Sequence, residues 1–393
     1  VTAKYGVGQG EQLTMGESID EIRVARAGLL RVIEPPSPTL AAFVAEHGPV
    51  LAWEKIRHRA APGGLRRSAS GRTDGSTADQ LQRLAIDDLR RASESGARLV
   101  VPEQDEWPAA TMAAFEMSDL VAPLGLYVRG TALPPEQRGA VTIVGSRACT
   151  AYGRRVAAEL AGDVAGRGSR VVSGAAFGVD AAAHRGAMSA AGARSTIAVL
   201  ACGIDRVYPV ANKELIDEIA AGGGVVLSEY PPGTTPARHR FLVRNRLIAA
   251  FGAVTVVVEA GRRSGTISTA NAATELNRVV MAVPGPVTSA LSIGCHDLLR
   301  KGQAVVATSA SDVLDAMGLF ELSPPPEMPA KPTDLVVGET AKVYEALPGR
   351  GGRTVWELAQ ESGVPAGEVM IALAELELQE LAERDGPNWR RLR

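Results

Sequence analysis

The sequence predicts an α/β protein: a mostly parallel sheet with helices on both faces, preceded by a small helical region and followed by a winged helix. Three observations carry this expectation. Short apolar runs alternate with helical patterns between residues 141 and 307. The runs are apolar at most positions, as expected of strands covered on both faces. Several end at glycine turns, most clearly in the stretch 142–178, TIVGSRACTAYGRRVAAELAGDVAGRGSRVVSGAAFG, which reads as strand, turn, helix, strand, turn. Units of this kind hold phosphate at the carboxyl ends of their strands.

The chain has 393 residues, enough for two or three domains. Before the sheet, Ser18 is placed to cap a helix containing Ile22, Val24, Leu29 and Leu30, and the prolines at 35, 36 and 38 break it. A second helix opens at Thr39, with Trp53 and Ile56 joining the same small core. Residues 60–78, rich in Gly, Ser and Arg, read as a flexible loop. A third helix at 79–95 leads to a short strand at 99–101, and residues 123–130 read as a strand entering the central domain. Further strands are expected at 141–144, 170–172, 196–200, 225–228, 254–258, 279–282 and 304–307. Helices are expected at 152–165, 180–191, 212–221 and 269–277. Residues 323–332 (SPPPEMPAKP) form a proline-rich linker. Beyond it, helices at 335–347, from 354 and at 366–381, then a terminal hairpin, give the order of a winged helix. The expected divisions are a tail (1–16), a helical N-terminal domain (17–120), the central domain (121–318), the linker (319–334) and the winged helix (335–393).

Composition narrows the function classes. The chain is 46% apolar and 22% charged, with no apolar run of membrane-spanning length, so no membrane association is expected. Residues 1–16 lack a signal-peptide pattern, which fits a cytoplasmic location. The three cysteines, Cys149, Cys202 and Cys295, are far apart and odd in number. They match neither a disulfide framework nor zinc spacing, so packed thiols are expected, with no metal and no cofactor. Net charge is −2, but residues 141–310 hold 18 Lys+Arg against 11 Asp+Glu. The positive charge thus gathers on the sheet domain, where a phosphate-bearing partner would use it. The winged helix is the reverse, with 7 basic and 10 acidic residues over 335–393. Its third helix carries Glu368, Glu375, Glu377 and Glu380 and no base, which argues against DNA reading by that helix.

Four constellations could carry chemistry. Gly145-Ser146-Arg147 offers close backbone approach, hydroxyl and amide donors, and a guanidinium fork for phosphate; a plain strand-to-helix turn would favour the same Gly and Ser. Ser173-Gly174 opens a second small-residue turn, running to Asp180. Asp180 and His184 are i, i+4 neighbours, with no nucleophile beside them, and a structural role for His184 is preferred. The segment 238–246 packs four arginines around Phe241, a pattern suited to a nucleic acid strand. Its competing reading is a solvated helix start, with Arg244 or Arg246 paired to Glu229 or Glu259. After a third apolar strand, Glu259 to Thr266 again combine glycine, hydroxyls (Ser264, Thr266) and arginine around Gly265. Three such loops on one edge of a sheet would form a positive, donor-rich mouth. Neither the dinucleotide fingerprint nor a Walker lysine is present.

Together these residues resemble the DNA-processing protein A family (DprA, also called Smf). The resemblance covers residues 123–317 and rests on ordered motifs. These are Ile143-Val144-Gly145-Ser146-Arg147 with Tyr152-Gly153; Ser173-Gly174 with Gly178-Val179-Asp180 and His184; Gly203, Tyr208-Pro209 and Asn212; and Ser228-Glu229-Tyr230-Pro231-Pro232-Gly233. They continue with Phe241 and Arg244-Asn245-Arg246; Glu259-Ala260, Ser264-Gly265-Thr266 and Thr269-Ala270; and Val283-Pro284-Gly285. The resemblance implies an extended Rossmann-like fold that binds single-stranded DNA, protects incoming DNA in transformation, loads the recombinase RecA and acts as a homodimer, without catalytic residues. It implies a phosphate pocket around Gly145, Ser146, Arg147, Ser173, Gly174 and the loop after Asn212, with Lys213 as a further cation. Three departures stand out. Ala175-Ala176-Phe177 replaces the usual leucine-alanine-arginine, His296 stands where asparagine is usual, and Gln379-Glu380 replaces a glycine turn before the wing.

The alternative is a nucleotide-binding or nucleotide-hydrolysing enzyme, because Gly265-Thr266 also resembles lysine-decarboxylase-like phosphoribohydrolases. Those place a glutamate three residues after the threonine, where this chain has Thr269. A winged-helix regulator with a sensory α/β domain is a third reading, weakened by the acidic third helix.

Overall fold

In the computed structural model the described residues are 18–131, 139–262, 264–318 and 336–392. They form two compact units, one on each side of residues 319–335. The expected tail and linker, and Arg263, lie outside the described residues.

The first unit opens with α1 (Ile19–Val32), α2 (Pro38–His47), α3 (Pro49–Arg57), α4 (Gly63–Thr73) and α5 (Ala78–Glu94). Ser18 and Glu21 form a capping box on α1, and Thr77 and Gln80 form another on α5. The loop expected at 60–78 is instead largely α4. Leu65, Ala69 and Thr73 recur every fourth residue and are buried, so a narrow stripe of small side chains holds a helix that its Gly, Ser and Arg content conceals.

β1 (Ala97–Val100), α6 (Ala109–Met112) and β2 (Leu126–Gly130) follow. β1 pairs antiparallel with β2, and β2 with β6 (Val225–Ser228) of the central sheet. The helical N-terminal region, expected over 17–120, thus contributes β1 to the sheet. Leu29, Trp53 and Leu81 share one apolar cluster with Tyr127, Ile204 and Ile216. Arg26 donates to Glu103, at 2.6 Å from Nη2, and to the Leu124 carbonyl at 2.7 Å.

The rest of the sheet comprises β3 (Ala140–Val144), β4 (Arg170–Ser173), β5 (Thr196–Val199), β7 (Val254–Val257), β8 (Val279–Ala282) and β9 (Val305–Val306). Between strands run α7 (Ala151–Gly166), α8 (Val179–Ala191), α9 (Lys213–Ala221), α10 (Arg238–Phe251), α11 (Gly265–Glu275) and α12 (Ile293–Arg300); α13 (Ala310–Ala316) closes the unit. The order is β1-β2-β6-β5-β4-β3-β7-β8-β9, parallel from β6 to β9. The chain winds outward from β3 to β6, then returns to the other side of β3 to lay down β7. The order therefore reverses between β3 and β7, and the crevice beyond their carboxyl ends is where open α/β sheets take ligands.

The second unit has α14 (Gly338–Ala346), β10 (Arg353–Thr354), α15 (Val355–Ser362), α16 (Ala366–Leu378), β11 (Ala382–Asp385) and β12 (Asn388–Arg391), with sheet order β10-β12-β11. This is a winged helix around Val343, Leu358, Leu373 and Leu376. The turn after α16 survives the loss of glycine. Glu380 adopts φ +56° while the Leu381 amide donates to the Leu376 carbonyl at 2.8 Å, a Schellman closure with a non-glycine residue in the left-handed position. No described helix is long and apolar enough to cross a membrane.

Candidate functional site

A cleft of about 880 Å³ opens beyond the carboxyl ends of β3 and β7, at the reversal point. One wall is the loop Gly145–Ala148, leading into α7. The opposite wall is the first turn of α11, with Ser264, Gly265, Thr266, Ser268 and Thr269. Along it runs the N-terminal half of α10, which presents Arg238, Phe241, Leu242, Arg244 and Asn245.

The β3 loop is held from behind by Glu259. The Ser146 amide donates to the Glu259 carbonyl at 2.7 Å, and the Thr150 hydroxyl and amide donate to its carboxylate at 2.6 and 2.9 Å. Thr150 in turn caps α7. Close approach to α8 needs glycine twice. A Cβ on Gly145 would meet Val179 at 2.6 Å, and one on Gly178, at φ +77°, would meet the Ser146 carbonyl at 2.2 Å. Ser264 caps α11, and the Asn245 side chain donates to the Gly265 carbonyl at 3.2 Å. The α11 first turn lines the cleft and has no acidic residue, so no carboxylate of its own offsets the positive end of the helix dipole; the Thr266 amide is taken by the Ser264 hydroxyl at 3.2 Å.

The 3.6-residue turn of α10 sends its four arginines to different surroundings. Arg246 points away from the cleft, nearly buried, and donates to Glu229 at 2.7 Å and to the Val121 carbonyl at 2.9 Å. Arg240 goes to Glu34 at 2.7 Å, alongside His239 and Arg72. Burial alone would raise the Glu34 carboxyl, but hydrogen bonds from Arg240 and Arg72 outweigh it and hold it down at about 2. Arg244 forms part of the cleft floor, nearly buried, donating to the carbonyls of Gly174 (2.8 Å) and Val199. Burial pulls its guanidinium down to about 10, against the opposing pull of Asp180. Only Arg238 of the four stands exposed in the cleft without an ion pair among the described residues.

Arg147 is likewise exposed and without an ion pair among the described residues. Its guanidinium sits over the Phe241 ring, 4.7 Å from the centroid. Tyr208 packs against Phe241, with centroids 5.4 Å apart at 57°. An exposed cation, two rings and the hydroxyl-bearing first turn of α11 therefore line one cleft.

Of the residues expected from the sequence, Gly145, Ser146, Arg147, Phe241, Arg244, Asn245, Ser264, Gly265 and Thr266 line this cleft; Ser173, Gly174, Asn212, Lys213 and Arg246 do not. Ser173 is fully buried and donates to the Ile143 carbonyl at 2.7 Å. A Cβ on Gly174 would fall 2.7 Å from the Arg244 guanidinium. Asn212 is buried and donates to the carbonyls of Ala175 and Ala176 at 3.0 and 3.1 Å. Lys213 is paired with Asp217 one turn along its own helix. Ser173, Gly174 and Asn212 thus hold the β4 turn and its neighbours together, while Lys213 stays exposed beside Asp217. Arg238, Tyr208 and Leu242 complete the cleft. Arg238 lay within the basic segment the sequence exposed, whereas nothing near Tyr208 signalled that it would meet Phe241.

Asp180 does not pair with His184. Its carboxylate accepts from the amides of Gly174 and Ala176 at 3.2 and 3.4 Å, and burial raises its affinity for a proton against the nearby Arg244. His184 shares a 2.6 Å hydrogen bond with Thr196, and burial pulls its imidazole down to about 3, leaving it neutral. Phe177 is half-exposed but does not line the cleft. His296 donates to the Gly285 carbonyl at 3.0 Å. Among the described residues no group of His, Cys, Asp and Glu is arranged to hold a metal ion.

The fold and site define an extended Rossmann-like protein with an open, donor-lined cleft at its topological switch point and a winged helix as a second unit. Residues 98–318 match the family model described as DNA recombination-mediator protein A, and residues 324–386 match the DprA winged helix domain. A Mycobacterium tuberculosis chain, provisionally described as DNA processing protein DprA, is 46% identical over 384 residues, covering 95% of this chain and 96% of its own length. The DNA processing protein DprA of Streptococcus pneumoniae is 41% identical over 195 residues, 49% of this chain and 66% of that one. An X-ray structure of DprA from S. pneumoniae superposes with a TM-score of 0.58 at 28% identity, over 78% of this chain and all of the other. The chain belongs to the DNA-processing protein A family.

Proposed function

We propose that the cleft between the β3 loop and α11 binds single-stranded DNA. The observation that carries this reading is Arg147. Its guanidinium makes no ion pair among the described residues, lies over the Phe241 ring and lines the same cleft as the first turn of α11. A strand with free bases can set a phosphate between Arg147, Arg238 and the α11 amides, and stack a base on the Tyr208–Phe241 pair. Duplex DNA keeps its bases stacked inside and cannot use the rings. Binding is expected to ignore sequence and to fall steeply with salt. No residue of the site is assigned a catalytic role. Asp180 is the one carboxylate among the described lining residues, and its Oδ2 accepts from two backbone amides. Thr269 lines the cleft where a nucleotide hydrolase of the lysine-decarboxylase-like type would need a glutamate. The family description as a recombination mediator supports the wider reading, that the protein protects incoming DNA and loads RecA onto it; the proposal takes a cytoplasmic homodimer as the acting form.

The test is a titration of the full chain with oligonucleotides, single-stranded and duplex, at two salt concentrations. Preference for the single strand, weakening with salt, is the expected result. Equal affinity for duplex would remove the role given to the rings. Release of free base from nucleoside monophosphates would instead establish the hydrolase reading.

A further inference from the structure

The second unit carries an apolar stripe that its own core does not use. α16 buries Val369, Ala372, Leu373 and Leu376. On the opposite face Gly367, Ile371, Ala374 and Leu378 are all exposed, Ile371 by 64% and Leu378 by 87%. Their spacing places them in one line along the helix, at i, i+4, i+7 and i+11. Met370, 63% exposed, sits beside the line. Glu368 and Glu375 flank it on one side and Glu377 on the other, and α16 has no basic residue. Single exposed apolar side chains are ordinary; a continuous stripe with charged margins is the pattern of a helix that receives another helix.

The charge chooses the occupant. A winged helix that reads DNA inserts this same third helix into the major groove, where three margin glutamates would face phosphate. A second copy packed symmetrically on the stripe would bring the glutamate rows against each other. A basic amphipathic helix meets both features at once, with apolar side chains on the stripe and lysines or arginines against the margins. We propose that α16 is a docking surface for an amphipathic helix of a partner protein with basic flanks. This is independent of the reading of the cleft.

The probe is a labelled amphipathic peptide with leucines on one face and lysines on both flanks. Its counterpart has glutamates in place of the lysines. Both are titrated against the full chain by fluorescence anisotropy. Leu378→Glu and Ile371→Glu, each at an exposed position, are expected to weaken the lysine peptide by roughly tenfold or more without moving the melting temperature. The triple variant Glu368→Lys/Glu375→Lys/Glu377→Lys is expected to exchange preference, gaining about tenfold for the glutamate peptide. Unchanged affinity of the lysine peptide in both stripe variants overturns the proposal, as does a triple variant that gains nothing for the glutamate peptide. Loss of duplex DNA binding in Leu378→Glu would assign the stripe to DNA, and loss of self-association would assign it to a second copy; either result overturns the proposal too.

Discussion

The two glycine turns that begin the sheet domain look alike in sequence and differ in their surroundings. Gly145-Ser146-Arg147 follows β3, and Ser173-Gly174 follows the neighbouring parallel strand β4. At the first, Arg147 is exposed and faces the cleft. At the second, Ser173 and Gly174 are buried, and their space is filled by Arg244. The cause is strand order. β3 borders the reversal and has β7 as its other neighbour, so its loop opens on the crevice; β4 lies between β3 and β5. A glycine turn thus lines the crevice or stands buried behind it according to its distance from the switch point.

Variants on the two sides should separate stability from binding. The largest effect is expected from Arg246→Ala, on the supporting side. It leaves Glu229, 2% exposed, without its ion pair, and should cost about 3–5 kcal/mol in a denaturant melt. A stability change below about 1 kcal/mol would show that the pair is not structural. Gly174→Ala places a methyl against the Arg244 guanidinium and should lower stability by about 1–3 kcal/mol, since the guanidinium is fixed by two carbonyls. Arg147→Ala should leave the melt unchanged and weaken single-strand binding by about 1–3 kcal/mol, with the salt slope reduced by about one. If Arg147→Ala binds normally while Gly174→Ala binds poorly at full stability, the roles of the two turns are reversed.

Two smaller effects sharpen the picture. Glu380→Gly should stabilise the winged helix by about 0.5–1 kcal/mol in thermal unfolding, because the native φ of +56° suits glycine. Glu34 has a folded pKa below its ordinary value, so the stability it adds is present above pH 4.5 and is lost as pH falls toward about 2. The stability difference between wild type and Glu34→Gln should therefore shrink across that window in acid titrations followed by circular dichroism. A difference that persists at pH 2 would show that the Arg72 and Arg240 contacts do not depend on the charge.

Alternation of apolar runs and helices was enough to place the sheet strands, because strands buried on both faces must be apolar at nearly every position. The winged-helix order was legible for a similar reason: helix periods and the proline-rich break are local signals. α4 was hidden because its buried face is made of Leu65, Ala69 and Thr73 among glycines, serines and arginines. The site was half legible. Residue types that suit phosphate marked the loops at 145–147 and 264–266 and the segment at 238–246. Charge count could not say which arginines were free.

What the sequence determined by itself is the α/β class, the acidic winged helix and the family, since these rest on patterns local to the chain. Only the tertiary structure decided that Arg240 belongs to Glu34 and Arg246 to Glu229, that Tyr208 meets Phe241, and that Ser173, Gly174 and Asn212 stand behind the site. Those assignments join residues distant in the chain. They follow from strand order and from the 3.6-residue turn of α10, which distributes four neighbouring arginines among different surroundings.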